Sequence, residues 1–510
     1  MTVHTHQLTL KEIHEFKGKY PRQIWSLFFS EMWERFSFYG MRGMLVFFMI
    51  SQLNLHEKDA NLQYGATQAF VYAFTFIGGL FADKILGFRK SLFWGGLMMI
   101  TGSSLLAADP HNFFFTGLAF IIIGTGFFKP NISTMVGELY SEKDDRRDAG
   151  FSLFYAGINL GAFLGGYICV AIGKGYMLSG MIPENMRWNV AFGLAAIGMV
   201  VSLINFYFTQ RHLGPIGLQP GHPDALVQVK AKPKWVEYLV YAGTLFAIPL
   251  IDLMVSSPEY TDYFMYTIGP LALLYLFYEM SKTTISERKK LWAGLIFIFF
   301  SVLFWGIYEQ SGGSLSIFAA KNLNDNLLGF TMDPNGVNNS AGAFFIIGLA
   351  PLFGLMWIWM AKRKFEPNTI IKFGLGFIFL GLGYYVLFAT KFFASVQGIA
   401  PLDIFTTALL VITIGELCLS PIGLSIMTKL SPARMQGIMM GMWFLASAYG
   451  QYVAGIIGAG LADADENAPA VTRLMNYTEG YKMLGIYALI AGLVLIALSP
   501  WIKKLMQDVR

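Results

Sequence analysis

Long apolar stretches joined by short polar connectors run through this chain from about residue 25 to its end. Fourteen of them, at 25–50, 64–83, 91–108, 112–132, 150–172, 187–209, 235–254, 261–280, 291–310, 341–361, 370–390, 403–428, 436–460 and 480–502, approach or exceed the roughly 20 residues a helix needs to cross a bilayer core. The longest internal connector, 210–234, contains RHLGPIGLQPGHPDALVQVKAKPK, whose Pro and Gly argue against a regular fold. It separates six stretches from the rest. Six more begin at Leu291, and the pair between them, 235–254 and 261–280, has no intramembrane Lys or Arg. The pattern predicts an all-α polytopic membrane protein of fourteen helices, two six-helix bundles with an inserted two-helix hairpin. Two six-span halves are the arrangement of transporters that rock around a midplane site.

Composition agrees with that solvent. Of 510 residues 55% are hydrophobic and 14% charged, against about a quarter charged in soluble domains. Short cytoplasmic loops are enriched in Lys and Arg, and 27 of the 37 basic residues fall on one side of the alternating loops. That side takes the amino terminus, the loops around Arg89, Lys143, Lys230, Lys289, Arg363 and Lys429, and finally Lys503, Lys504 and Arg510. Both termini are therefore expected in the cytoplasm. The domain reading is a cytoplasmic tail 1–24, a bundle 25–209, a linker with two further helices 210–290, a second bundle 291–505 and a tail 506–510. The first twenty residues, MTVHTHQLTLKEIHEFKGKY, show no secretory signal. The net charge of +5 is accounted for by topology, with no basic face for nucleic acid. Cys169 and Cys418 fall in apolar stretches and read as packing residues, not a disulfide or metal pair.

The informative positions are the charges inside spans, each costing on the order of 2.5–3.5 kcal/mol at a bilayer centre. SEMWERFSFYGMRG, residues 30–43, carries four of them. At 100° per residue Glu31, Glu34, Arg35, Phe38, Tyr39 and Arg42 share an arc of about 140°, with Trp33, Phe36 and Phe47 opposite. Such a face suits the wall of a polar path; the alternative is a self-neutralising Glu31–Arg35 pair at i,i+4 that only fixes packing. FFKPN places Lys129 beside Pro130, as a binding cation or a snorkelling residue. FSLFYAGINLGAFLGGY sets Gly157, Gly161 and Gly165 four apart as a packing face, with Asn159 off it as a candidate ligand. The second half offers Glu309 in LFWGIYEQ and Glu416 in IGELCLSPIGLS but no central cation. Trp305 and Glu309 are four apart, as are Trp443 and Ser447, though each Trp also fits an interfacial belt. Cations in one half and carboxylates in the other suit a zwitterion, and the surplus carboxylates suit protons.

Five segments in order, EMWERFSFYG, GGLFADKILGFRK, FFKPN, FSLFYAGINLGAF and GELCLSPIGLS, resemble the proton-dependent oligopeptide transporters (the POT, or peptide transporter, family) of the major facilitator superfamily, prokaryotic type, over about residues 25–505. The resemblance implies a proton-coupled symporter that imports di- and tripeptides by alternating access, with no cofactor beyond the proton. It makes Glu31, Glu34, Arg35 and Glu309 the proton-responsive set. Arg35 with Lys129 would receive the peptide carboxylate, and Asn159 with Glu309 the amine. Tyr39, Tyr72, Trp305, Trp443 and Ser447 would line side-chain pockets; Arg42–Glu309 and Lys129–Glu416 would be the gate pairs. Three positions depart from the family pattern: Phe38 where many members have Tyr, Gly342 in place of a peptide-binding Asn, and Gly65 near the place of a mammalian His. The expected setting is a bacterial plasma (inner) membrane, the partners di- and tripeptides or peptide-like drugs and the lipid bilayer, and the functional unit a monomer. The rival readings are a carrier of nitrate or another anionic or zwitterionic solute, or a non-transporting receptor or enzyme. The absence of a metal cluster, a nucleophile with its base, or a phosphate loop argues against the last.

Overall fold

The computed structural model describes residues 8–141, 144–226, 232–419, 423–462, 468–507 and 509. Lys143, Lys230 and Arg510 of the charge tally, and Ser420, Pro421 and Ile422 of the GELCLSPIGLS motif, lie outside the described residues. In chain order the helices are α1 (Leu10–His14), α2 (Arg22–Ser51), α3 (Glu57–Phe81), α4 (Phe88–Ala108), α5 (Phe114–Glu138), α6 (Arg147–Gly173), α7 (Arg187–Thr209) and α8 (Lys234–Ser256). They continue as α9 (Pro258–Ser281), α10 (Ile285–Tyr308), α11 (Ser314–Asn322), α12 (Pro334–Lys362), α13 (Thr369–Ala389), α14 (Leu402–Leu419), α15 (Gly423–Leu430), α16 (Gln436–Leu461) and α17 (Ala470–Met506). A small antiparallel hairpin pairs Asn326 with Thr331 and Leu327 with Phe330. All but α1, α11 and α15 are long enough to span, fourteen helices among the described residues, as the apolar pattern predicts. Twelve are also apolar enough to cross a membrane. The other two are α2, with its internal charges, and α9, which carries Glu259, Asp262 and Glu279. The chain is an all-α multi-span membrane protein.

The contacts divide it into two bodies, and the border does not follow linear order. Unit 1 holds the residues up to Met44 and Phe70–Ser256; unit 2 holds Leu45–Ala69 and Ser257–Arg510. The inserted hairpin is thereby split, α8 belonging to one unit and α9 to the other.

In unit 1 the glycines of α6 bring α2 close. A Cβ on Gly161 would lie 2.1 Å from the Met32 carbonyl oxygen, and one on Gly165 2.2 Å from that of Phe36. Gly157 faces Phe28 in the same way, its Cβ falling 2.7 Å from the ring. The four-residue spacing of the glycines thus matches 28, 32 and 36 on α2, and the packing face read from sequence is the one used. Phe36, opposite the charged face, is buried and lies against Gly165 and Gly198 rather than lipid. α8 is fixed to α4 and α5 by Trp94 Nε1 donating to Thr244 Oγ1 at 3.0 Å and Thr116 Oγ1 donating to Asp252 Oδ2 at 2.6 Å.

Among its described residues, 210–226 and 232–233, the connector after α7 forms no long helix, as its Pro and Gly require. Arg89 holds it instead, donating to the carbonyls of Ile216 at 2.8 Å and Gly214 at 2.5 Å. The amino-terminal tail is docked as well. Arg146 Nη1 donates to the Phe16 and Gly18 carbonyls, both at 3.0 Å, and its guanidinium lies 3.8 Å from the Phe16 ring centroid. The same arginine holds Asp144 through 2.7 and 2.9 Å hydrogen bonds. Those bonds keep the Asp144 carboxyl down at about 2.

Unit 2 is built on close glycine contacts of α13 with α14 (Gly376 with Gly415) and with α17 (Gly381 with Gly485). Within the same unit Gly65 meets Gly455 of α16, the Gly65 Cβ position being 2.6 Å from the Gly455 Cα. A side chain at position 65 would not fit, so a histidine there is excluded by packing as well as by sequence.

Candidate functional site

The charged face of α2 folds on itself inside unit 1. Arg35 Nε approaches Glu31 Oε1 at 3.2 Å, the i,i+4 contact that spacing predicts. The tighter contact is with its chain neighbour: both Glu34 oxygens accept from Arg35, Nη2 to Oε1 at 2.5 Å and Nε to Oε2. Helix geometry points i and i+1 apart, so spacing alone does not reveal this bidentate pair. All three residues are 1% exposed or less. Two carboxylates therefore share one guanidinium away from water. Glu31 Oε2 accepts no hydrogen bond from any described residue.

Along the same helix the Arg35 guanidinium lies 5.2 Å from the Phe38 ring centroid and that of Arg42 5.6 Å from Tyr39. Lys129 Nζ sits 4.6 Å from the Tyr72 ring, a cation–π contact within unit 1. Pro130 follows it inside α5, where a proline removes one helical N–H donor. Asn159 is buried, and its Nδ2 donates to the Tyr155 carbonyl at 2.9 Å.

In unit 2 the two carboxylates sit at or near helix ends. α10 stops at Tyr308, with Glu309 as its C-cap, and α11 begins only at Ser314. The carbonyls released by this break are taken up by buried side chains. Tyr384 Oη donates to the Ile307 carbonyl at 2.6 Å and Gln310 Nε2 to that of Gly306 at 3.1 Å, the same amide also donating to the Ala454 carbonyl of α16 at 3.1 Å. Glu416 lies in the last turn of α14, where its Oε2 accepts from the Tyr308 hydroxyl. Trp305 packs edge-on against Tyr308, ring centroids 5.3 Å apart. Trp443 is buried, and Ser447, one turn on, donates to the Trp443 carbonyl at 3.2 Å. A Cβ on Gly342 meets only Thr413 Oγ1, at 3.8 Å, so the missing asparagine leaves open space.

Each unit thus gathers its own share of the residues singled out in the sequence: Glu31, Glu34, Arg35, Tyr39, Arg42, Tyr72, Lys129 and Asn159 in unit 1, and Trp305, Glu309, Glu416, Trp443 and Ser447 in unit 2. Two groups escaped the sequence reading. Tyr308 stood in an aromatic run beside a more conspicuous Glu. Glu57 is buried in unit 2, where Lys321 and Tyr477, at 3.0 Å, both donate to it; Lys321 counted in sequence only as a loop charge.

The POT family model matches residues 89–474. The chain belongs to the POT family. A peptide transporter of Yersinia enterocolitica is 34% identical over 96% of each chain, and a di-/tripeptide transporter of Lactococcus lactis subsp. cremoris is 33% identical over 96% of this chain and 97% of the relative. A POT peptide transporter crystallised with sulfate superposes with a TM-score of 0.79, at 32% identity over 98% of this chain and 100% of the other. A POT family transporter in complex with 5-aminolevulinic acid gives 0.80, at 30% identity over 97% and 100%. This POT protein therefore has the fold of solved peptide transporters along essentially its whole length.

Proposed function

We propose that this chain is a proton-coupled symporter, not an enzyme, importing di- and tripeptides across a bacterial plasma membrane by alternating access. The observation that carries the reading is the buried Glu31–Arg35–Glu34 cluster. Two buried carboxylates there share Arg35, and Lys129 is close enough to act on both; a proton on one of them frees positive charge for the carboxylate of an incoming peptide. The proton is the coupling ion, with Glu309 as the second proton-responsive site; no other cofactor is invoked.

Arg35 and Lys129 then receive the peptide carboxylate, and Glu309 with Asn159 the amine. Tyr39, Tyr72, Trp305, Trp443 and Ser447 line the side-chain pockets, and Glu416 contributes to the carboxylate-bearing side. Arg42 with Glu309, and Lys129 with Glu416, are the proposed gate pairs, each joining a cation to a carboxylate of the opposite half. The protein acts as a monomer with both termini in the cytoplasm. Peptide-like drugs that keep the same separated charges are a second substrate class. Proteoliposome uptake of labelled dialanine, with and without an inward pH gradient, tests the proposal. Tripeptide should compete; free alanine and nitrate should not. Uptake indifferent to the gradient, or competed by nitrate, rejects it.

A further inference from the structure

Tyr308 has no place in the roles just proposed, yet it touches three residues that do. It follows Trp305 by three positions, precedes Glu309, and donates its hydroxyl to Glu416 on another helix. Its ring is fixed on two sides, stacked on Phe304 with centroids 5.7 Å apart and 15° between planes, and edge-on to Trp305. The backbone behind it is pinned by the Tyr384 hydroxyl on the Ile307 carbonyl. Phenylalanine would satisfy all of this packing. What tyrosine adds is one oxygen, and a phenol within the membrane requires a polar partner. Here the partner is ionisable, and a hydrogen bond to a charged acceptor is about twice as strong as a neutral one.

We infer that Tyr308 is a positioning residue for Glu416, and that it ties the orientation of that carboxylate to the broken end of α10 where Glu309 sits. The inference rests on the proposed substrate role of Glu416. Because the ring is immobilised by its neighbours, the phenol presents its donor in one direction. The Glu416 carboxylate is turned toward the α10 terminus rather than left to sample the rotamers of a long side chain. Glu309 and Glu416 are then mechanically linked through a single ring.

Two double-mutant cycles test this, one on dialanine Kd and one on Tm in detergent, each using Tyr308→Phe, Glu416→Ala and the pair. Tyr308→Phe should weaken Kd about tenfold when Glu416 is present, and by less than about twofold when it is absent. It should lower Tm on its own but add nothing to Glu416→Ala. An equal Kd loss in both backgrounds, additive Tm losses, or a Tyr308→Phe protein indistinguishable from wild type would overturn the inference. If wild type itself binds no peptide, the failure belongs to the proposed function, and the Tm cycle alone decides whether Tyr308 holds Glu416.

Discussion

Replacing Glu34 by Gln removes one charge from the buried cluster while nearly preserving its shape. In the wild-type arrangement Glu34 accepts twice from Arg35, and Glu31 stands 3.2 Å from the same guanidinium. Glutamine keeps one acceptor oxygen, so the variant cluster keeps Glu31 as its one carboxylate beside Arg35. It mimics the state with Glu34 protonated and can no longer take up or release a proton at that position. The consequence is a split between exchange and accumulation. One charge moving through 100 mV gains about 2.3 kcal/mol, which is a concentration ratio of about 50, and a pH unit adds about tenfold. Wild-type vesicles energised in both ways should therefore concentrate dialanine by on the order of several hundredfold for one proton per peptide. Glu34→Gln should bring that ratio to about one, while counterflow exchange of peptide stays within about threefold of wild type. Labelled dialanine in proteoliposomes measures both quantities. Gradient-driven accumulation retained in Glu34→Gln would refute the reasoning and move proton coupling to another carboxylate, with Glu309 first in line. Loss of exchange together with accumulation, in a protein of unchanged Tm, would instead make Glu34 part of the peptide site.

Lys129→Ala is expected to abolish dipeptide uptake, because it removes one of two cations proposed for the peptide carboxylate; Lys129→Arg should not restore it, since the planar guanidinium does not reproduce a compact ammonium over Tyr72. Near-normal uptake in Lys129→Ala would leave it a snorkelling residue. Gly161→Ala would place a methyl 2.1 Å from the Met32 carbonyl oxygen and 2.9 Å from Arg35 Cβ, so α2 must shift. The expected cost is about 1–3 kcal/mol of overpacking, seen as a lower Tm with impaired gradient-driven uptake, and an unchanged Tm would show that α2 and α6 do not pack this closely. Arg146→Ala should raise amide hydrogen exchange in residues 10–18 by removing the donors to Phe16 and Gly18. Asp144 sits at about 2 against an ordinary 3.8, so its ion pair is fully formed above the ordinary value and is lost only as pH falls toward about 2. The effect of Arg146→Ala should accordingly be the same at about pH 5 and about pH 7.5, and a strong difference would mean that another group governs the tail.

The fold was largely legible because membrane helices announce themselves by length and apolarity, and the α6 glycines announced their own partner face. The border between units was not legible. It falls inside α2, inside α3 and after Ser256; the first two arise because the 45–69 segment packs through Gly65 onto Gly455, and two glycines far apart in sequence carry no pattern that pairs them. At the site, residue types were readable but contacts were not. Periodicity gave Glu31–Arg35 correctly and missed the closer Glu34–Arg35 pair, since a flexible guanidinium can fold back on its own neighbour. Lys321 counted only as a loop charge for a related reason: the nine-residue helix after the α10 break, Ser314–Asn322, is too short and too mixed to show as an element in the hydrophobic pattern.

That break explains why the second half keeps its carboxylates where it does. Non-helical backbone at membrane depth leaves carbonyls without donors, a state tolerated only where protein groups or a polar cavity replace them. Tyr384 and Gln310 supply such groups at Ile307 and Gly306, Gln310 also reaching the Ala454 carbonyl of α16, and Ser314 in turn donates to Gln310 Oε1 at 2.8 Å. The interruption is therefore a held structure with its own buried network. An uninterrupted helix would have satisfied the same carbonyls with less machinery, so satisfying the backbone cannot be the reason for the break. What the break adds is a carboxylate, Glu309, at the C-terminal end of α10, where the helix dipole and the cluster of carbonyl oxygens already favour positive charge. A cation such as a peptide ammonium is the species that environment stabilises, and a proton on Glu309 is the species that weakens it. In the proposed cycle a proton and a peptide ammonium each displace Arg42 from Glu309, so both bias one gate pair in the same sense, which is the coupling a symporter requires.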